Sequence, residues 1–387
     1  MRLLNTSNLT LEVFYGTDIP KYVILSHRWE NEEISLQELQ ERSNQHKAGW
    51  EKVREFCNLA RRYNYKYAWI DTCCIDKTSS AELQEALNSM FQWYRKADIC
   101  CAYLNDVSRN FVKKGNCYIS HVELEHSEWF RRGWTLQELL APRQLWFIGG
   151  DWKDVIGSRE ELADSISAIT NIPKHYILEF VGSTVSRTQH HSGLPSIAEI
   201  MSWASRRVTT RIEDMAYSLM GLFGVQMPLL YGEGRNAFLR LQLEILKVSD
   251  DESIFAWHTK SSSELGFDSG LLAPSPACFA GCKYDVMPPS LVYDPERPPY
   301  AMTNKGLRIE PLLRKIDGSK LFELYLMPLH CFYLEDNASC AAIYLRRNSG
   351  HQFRRVEPNK IFAHSLIREK SDFERTLVYV RQDYNLN

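Results

Sequence analysis

Tyr22-Val-Ile-Leu-Ser26, closing in the polar run His27-Arg28-Trp29-Glu30, is the stretch that decides the fold. A strand wetted on one face alternates apolar and polar residues. An unbroken apolar strand is buried on both faces, which marks a parallel sheet covered by helices. The same form recurs three times. Tyr67-Ala-Trp-Ile-Asp71 runs into Thr72-Cys-Cys-Ile-Asp-Lys77, Asp98-Ile-Cys-Cys-Ala-Tyr-Leu104 ends at Asn105-Asp106, and Gln144-Leu-Trp-Phe-Ile148 stops at Gly149-Gly150.

The spacers between these runs read as helices. Trp50, Val53, Phe56, Cys57 and Ala60 recur at helical period over 45–63, and Leu83, Leu87, Met90, Phe91 and Tyr94 do so over 80–96. An irregular polar connection then leads to Ser127, where one short helix is expected through Leu140. Ser127 serves as its N-cap, Glu128 suits the positive end of the dipole, and Pro142 marks the stop. In such a helix Trp134 lies one turn from Glu138, so an aromatic and a carboxylate share a side. Strand and helix alternating four times predict an α/β fold with right-handed crossovers. A short strand over Leu11–Tyr15 precedes them.

Further on, helices are expected over Ser158–Thr170, Ile197–Arg206, Ile212–Gly221 and Asn236–Lys247, with a turn-rich loop from Gly221 to Gly234. After Asp251 the composition changes. Pro and Gly crowd residues 266–299, and alternating strands appear at Leu307–Leu313, Leu321–Met327, Ala341–Leu345 and Thr376–Val380. The expected domains are an α/β core over 1–157, a helical extension over 158–257 and a smaller β-rich domain over 258–387.

With 387 residues, 44% hydrophobic and 24% charged, the chain has ample core material for a globular protein of more than one domain. A net charge of −2 gives no pull toward nucleic acid or an anionic membrane. No apolar run reaches spanning length, and Met1–Asn8 has no leader-like core, so a cytoplasmic protein without a membrane span is expected. The 10 cysteines include the vicinal pairs Cys73-Cys74 and Cys100-Cys101, placed in or beside apolar strands as small hydrophobes. Cys278-x-x-x-Cys282, with His258, Cys331 and Cys340 in the same region, lacks the second tight ligand pair of a zinc site. No metal is expected.

In an open parallel sheet, ligands bind beyond the carboxyl ends of the strands. Those ends carry Ser26, Arg28, Trp29 and Asp71, which offer a hydroxyl, a phosphate fork, a stacking face and a carboxylate. The alternative for Asp71 is a turn cap. Glu138 beside aromatics can hold a raised pKa or stabilise a cation on a sugar ring; otherwise it is a solvated residue paired to Arg131 or Arg132. His121-Val-Glu-Leu-Glu-His126 alternates like a strand and lacks the metalloprotease spacing. Gly232-Glu-Gly234 reads as a tight turn before a helix starting at Arg235-Asn236, and Arg206-Arg207 with Arg211 reads as a solvated face beside Glu213-Asp214.

Several of these stretches together resemble the heterokaryon-incompatibility (HET) domain of filamentous fungi. They are Tyr22–Trp29, Trp69-Ile-Asp-Thr-Cys-Cys-Ile-Asp76, the Met90–Leu104 passage and Arg132-Gly-Trp-Thr-Leu-Gln-Glu138. The segment from Arg207 to Val225, Leu230-Tyr-Gly-Glu-Gly234, Ser253-Ile-Phe-Ala-Trp257 and Gly270-Leu-Leu-Ala-Pro274 resemble the downstream regions of many such proteins. The resemblance implies a cytosolic trigger of non-self recognition (vegetative incompatibility) and regulated cell death.

More remotely, the core resembles Toll/interleukin-receptor (TIR) domains, an innate-immunity fold. Lys21–Arg28 looks like their first strand and turn, Ile70-Asp71 like the end of the second, and Trp134-Thr-Leu-Gln-Glu-Leu139 like their Trp-Cys-x-x-Glu-Leu helix. The resemblance implies a TIR/flavodoxin-like, mostly parallel sheet with an added helical region and a β-rich C-terminal domain. It also implies that Glu138 is catalytic in cleaving the nicotinamide–ribose bond of NAD⁺ on self-association. NAD⁺ or a related nucleotide is then the substrate, bound by Ser26, Arg28, Trp29, Asp71 and Trp134, with no separate cofactor. The departures are Trp29 in place of a small glycine, Thr135 in place of cysteine, and Cys74-Ile-Asp-Lys77 in place of an Arg-Gly loop. Those departures point instead to a non-enzymatic death-signalling module. Such a module works by homotypic assembly or through an upstream recognition protein, with the β-rich domain as a recognition or restraining surface.

Overall fold

The computed structural model describes residues 1–16, 18–107, 121–152, 155–180, 194–259, 268–286, 298–316, 322–333, 336–365 and 372–382. Part of the polar connection before Ser127 and part of the Pro/Gly-dense stretch lie outside them. By internal packing the chain divides into two units. The first is Met1–Gly182 with Arg207–Thr210 and Tyr217–Leu229; the second is Ser183–Arg206, Arg211–Ala216 and Leu230–Asn387.

Among the described residues the first unit holds seven strands: β1 (Arg2–Asn5), β2 (Leu11–Val13), β3 (Tyr22–His27), β4 (Tyr67–Trp69), β5 (Ile99–Leu104), β6 (Leu145–Gly149) and β7 (Val155–Ser158). They lie in the order β2-β1-β4-β3-β5-β6-β7. The four central strands are parallel, as their unalternated sequences require, and every residue of β3 is buried. The edges are antiparallel, which makes the sheet mixed. Two short strands outside the parallel core were not expected. β1 occupies the Arg2–Asn5 stretch that reads only as an unremarkable N-terminus, and β7 takes the start of the expected 158–170 helix, which begins instead at Ala163. Both are only four residues long, too short for a periodic signal.

The crossovers are α1 (Leu36–Glu41), α2 (Ala48–Arg62), α3 (Asp71–Cys74) and α4 (Ser80–Lys96). Trp50, Val53, Phe56, Cys57 and Ala60 of α2 and Met90, Phe91 and Tyr94 of α4 are buried, as their periodicity predicts. Leu83 and Leu87 of the same stripe are only half-buried. Ser35 and Glu38 form a reciprocal capping box on α1. His121–His126, read as a strand, is a helix, α5. The nine described cysteines are all buried, as small hydrophobes would be.

The single helix expected over Ser127–Leu140 is two pieces. Ser127 caps a 3₁₀ turn over Glu128–Arg131, and α6 (Thr135–Leu140) comes after an elbow at Arg132-Gly133. The elbow is held by a strand-like bridge: Val208 N–H donates to Arg131 O at 2.7 Å and Gly133 N–H to Val208 O at 2.9 Å. A Cβ at Gly133 would lie 2.5 Å from Thr209 Cγ2, so the approach needs glycine. At the other end, Arg159 donates to Leu139 O (3.2 Å), Pro142 O (2.9 Å) and Arg143 O (3.1 Å), satisfying carbonyls the ended helix leaves open.

The second unit combines helices over Ile197–Ala204 and Asn236–Val248 with an eleven-stranded sheet, whose longest pair is Leu324–Tyr333 and Asp336–Ser349. The expected strand at 307–313 is broken at Glu310-Pro311 into Gly306–Ile309 and Leu312–Ile316, since proline cannot donate to a ladder. Arg355 is fully buried, donating to Phe255 O and Trp257 O with its guanidinium 4.1 Å from the Trp257 ring. The chain thus has an α/β part followed by a β-rich part.

Candidate active site

Strand order reverses between β3 and β5, because the chain leaves β3 for β4 on one side and returns to β5 on the other. The carboxyl ends of these strands flank the crevice where α/β sheets bind ligands. Ser26 and His27 end β3, and Glu138 of α6 reaches the same place.

Glu138 is not a solvated residue of a last turn. It is 7% exposed, and the hydroxyl of fully buried Ser26 donates to its Oε2. Tyr94, whose hydroxyl donates to Leu25 O at 3.1 Å, stands beside it. Burial pushes the carboxyl up to about 7. The bond from Ser26, the charge of Arg132 and the adjacent Tyr94 hydroxyl oppose that rise, while the carboxylate of Asp71 adds to it. A carboxyl divided between its two forms near neutral pH serves equally as proton acceptor, donor or charge stabiliser.

A second cluster lies on the rim. Trp29 Nε1 donates to Asp71 Oδ2 at 2.7 Å, and Lys77 Nζ stands 3.7 Å above the same indole ring. Asp71 thus binds Trp29, and Ile70, not Asp71, occupies the cap position of α3. His27, buried, has Nδ1 3.7 Å from Asp71 Oδ1 and Nε2 3.6 Å from Glu33 Oε1. Lys52, 6% exposed, bridges Glu33 at 2.5 Å and Glu30 at 3.1 Å. Burial alone would raise Glu33, but His27 and Lys52 outweigh it and hold the carboxyl at about 2.

Of the residues expected in the site, Ser26 and Glu138 are bonded to each other, and Trp29 and Asp71 are bonded to each other. Arg28 is exposed just beyond β3. Trp134 is half-buried immediately before α6, and the indole tied into the Glu138 cluster is that of Trp129, whose Nε1 donates to Ser26 Oγ at 2.8 Å. Trp129, Tyr94 and His27 escaped sequence reasoning. The first two sit on apolar faces where an aromatic reads as core, and each has a polar tip that a partner must satisfy.

Arg207 corrects a reading outright. Expected on a solvated face, it is 9% exposed and donates to Arg132 O (2.8 Å) and Thr135 Oγ1 (2.9 Å) at the start of α6. Its Nη2 is buried without a hydrogen-bond partner. Burial draws the guanidinium down to about 9, against the opposing pull of Glu138. Nor is the rest of that cluster simply salt-bridged: Arg211 stacks on Tyr231 at 4.4 Å, and Glu213 accepts the N–H groups of Gly232 (2.8 Å) and Gly234 (3.1 Å). Both glycines have positive φ, so the stretch is the expected tight turn. Among the described residues no group of three or more His, Cys, Asp or Glu is placed to hold a metal ion, and no helix is long and apolar enough to cross a membrane.

Residues 22–123 match the family model described as Heterokaryon incompatibility protein (HET). That match spans β3 to β5 and ends before Glu138. The chain is also 42% identical over 240 residues, 62% of its length, to the vegetative incompatibility protein HET-E-1 of Podospora anserina, and it spans 17% of that relative's length. No solved structure matches. A parallel core whose strands carry the family model's match, with the identity to HET-E-1 running over 62% of the chain, leads to one conclusion: the chain carries a HET domain.

Proposed function

We propose that this HET-domain protein acts in vegetative incompatibility by triggering regulated cell death, through an NAD⁺ glycohydrolase activity that self-association elicits. The observation that carries the reading is the buried Glu138 carboxyl, raised to about 7 beside the switch point of the sheet. The likeness of Trp134–Leu139 to the TIR catalytic helix supports it in sequence. The reaction is NAD⁺ plus water giving nicotinamide, ADP-ribose and a proton. As the C1′–N bond breaks, nicotinamide leaves with the bonding pair and positive charge spreads over the ribose ring. Ionised Glu138 accepts hydrogen bonds from the ribose hydroxyls and stabilises that charge. Arg28 would meet a phosphate, while Trp29, held by Asp71, would present a ring for stacking. With Glu138 only 7% exposed, self-association is the step expected to open the crevice.

The decisive assay incubates concentrated or artificially clustered protein with NAD⁺. Release of nicotinamide should fall at least ~100-fold in Glu138→Ala, in line with loss of a transition-state electrostatic contact. Equal release by variant and wild type ends the proposal. A second reading, a non-enzymatic assembly module engaged by its own kind or by an upstream recognition protein, draws on the near-closure of Glu138 and on Lys77 covering one face of Trp29. Under it, cell killing survives Glu138→Gln and is lost on disrupting the assembly surface.

A further inference from the structure

The Ser26 hydroxyl has its polarity dictated from one side. An indole N–H can only donate, and that of Trp129 points at Ser26 Oγ from 2.8 Å. Ser26 has a single proton, and it lies toward Glu138 Oε2. Reversing the Ser26–Glu138 bond would make Ser26 accept twice and strand its own proton in a site closed to bulk solvent, since Ser26 is 0% exposed. We propose that Trp129 is a positioning residue: acting through Ser26, it makes Oε2 of Glu138 a standing acceptor and leaves Oε1 as the oxygen that takes up the proton and meets the ligand.

The inference refines the glycohydrolase reading by assigning roles to the two carboxyl oxygens. One stays bonded to the protein, and the other is kept for the ribose hydroxyl. Under that reading Ser26 orients Glu138 and does not touch substrate. Trp129 itself is 1% exposed and edge-on to Phe130 and Phe147, at 5.0 and 5.7 Å between centroids, so its ring is clamped and its N–H has a fixed aim. The titratable and charged groups that face Glu138 from neighbouring elements are Asp71, Arg132, Arg207, Tyr94 and Cys100. A donor bonded to Ser26 Oγ polarises its hydroxyl and strengthens the bond to the ionised carboxylate. Loss of that donor therefore favours the protonated acid.

The test titrates Glu138 directly in the full chain, by isotope-edited infrared difference spectra referenced to Glu138→Gln. Trp129→Phe keeps an aromatic ring but loses the N–H. It should raise the Glu138 midpoint by about 0.5–1 unit, a change of ~3–10-fold in proton affinity expected for weakening one hydrogen bond to a charged group. Ser26→Ala should raise it at least as far, and adding Trp129→Phe to Ser26→Ala should change nothing more. Where Trp129→Phe does not fold, benzothienylalanine at position 129, with sulfur in place of the N–H, makes the same comparison at constant shape. In the enzyme assay the acidic limb of the kcat profile should move upward by the same amount with KM unchanged. An unmoved midpoint in a folded Trp129 variant overturns the inference, as does a Trp129 effect that persists undiminished without Ser26. If no variant or wild type turns over NAD⁺, the glycohydrolase reading falls while the titration still decides the role of Trp129.

Discussion

Glu33 and Glu138 stand near the same end of the same sheet, are the same chemical group and are both largely withdrawn from water, yet their surroundings drive them in opposite directions. Glu33 is held at about 2 and Glu138 at about 7. Burial pushes both upward. The difference lies in the partners. Glu33 faces a buried ammonium at 2.5 Å and an imidazole at 3.6 Å, whereas Glu138 accepts from a neutral hydroxyl, has a phenol beside it and feels a second carboxylate. A full cation in contact overcomes desolvation; a neutral donor offsets only part of it. The first arrangement locks a rim in place, and the second keeps a carboxyl close to its switching point.

The comparison breaks most severely at Lys52. Removing one member of a buried ion pair strands the other, so Lys52→Met should cost about 3 kcal/mol of stability, read by chemical denaturation at neutral pH. A loss below ~1 kcal/mol would mean that His27 alone holds Glu33.

Glu138→Gln sharpens the other half. The folded carboxyl is raised above its unfolded value of about 4.5. Below that value both states hold the proton. As pH rises from there toward about 7, the unfolded chain ionises first and wild-type stability falls. The full deficit, on the order of 3 kcal/mol, is present only above the folded pKa. Glu138→Gln should thus be more stable than wild type at about pH 8 and lose that advantage near pH 5. A pH-independent difference would place the carboxyl outside the environment described.

A smaller effect tests the elbow that carries Glu138 to its place. Gly133→Ala puts a Cβ 2.5 Å from Thr209 Cγ2 and should cost ~1–3 kcal/mol by overpacking. Thr209→Ser, which removes that methyl, should recover most of the loss when combined with it. Thermal melts of the four proteins provide the cycle, and additive losses would mean that the clash lies elsewhere.

Much of the fold is legible because burial on two faces leaves its mark within a few residues. Tyr22–Ser26, Asp98–Leu104 and the stripes of the 45–63 and 80–96 helices carry their periodicity in themselves. The elbow at Gly133 is not legible, since a helix over Ser127–Leu140 satisfies every local rule of capping and charge. What interrupts it is Val208, some seventy-five residues downstream, whose backbone groups take Gly133 N–H and supply the donor for Arg131 O. Arg207 was misread for the same reason: beside Arg206 and Arg211 it belongs to a charged run, and only the folded chain buries it against Arg132 and Thr135.

By itself the sequence determined the alternation of strands and helices, the rim bearing Ser26, Trp29 and Asp71, and Glu138 as a residue worth suspicion, because those depend on neighbours one to four positions away. Tertiary structure alone decided that Glu138 is buried and set near 7 while Glu33 is set near 2, and that Trp129 rather than Trp134 is joined to it through Ser26. A pKa is a sum over nearby charges and excluded water, and in this protein nearly every contributor comes from another part of the chain.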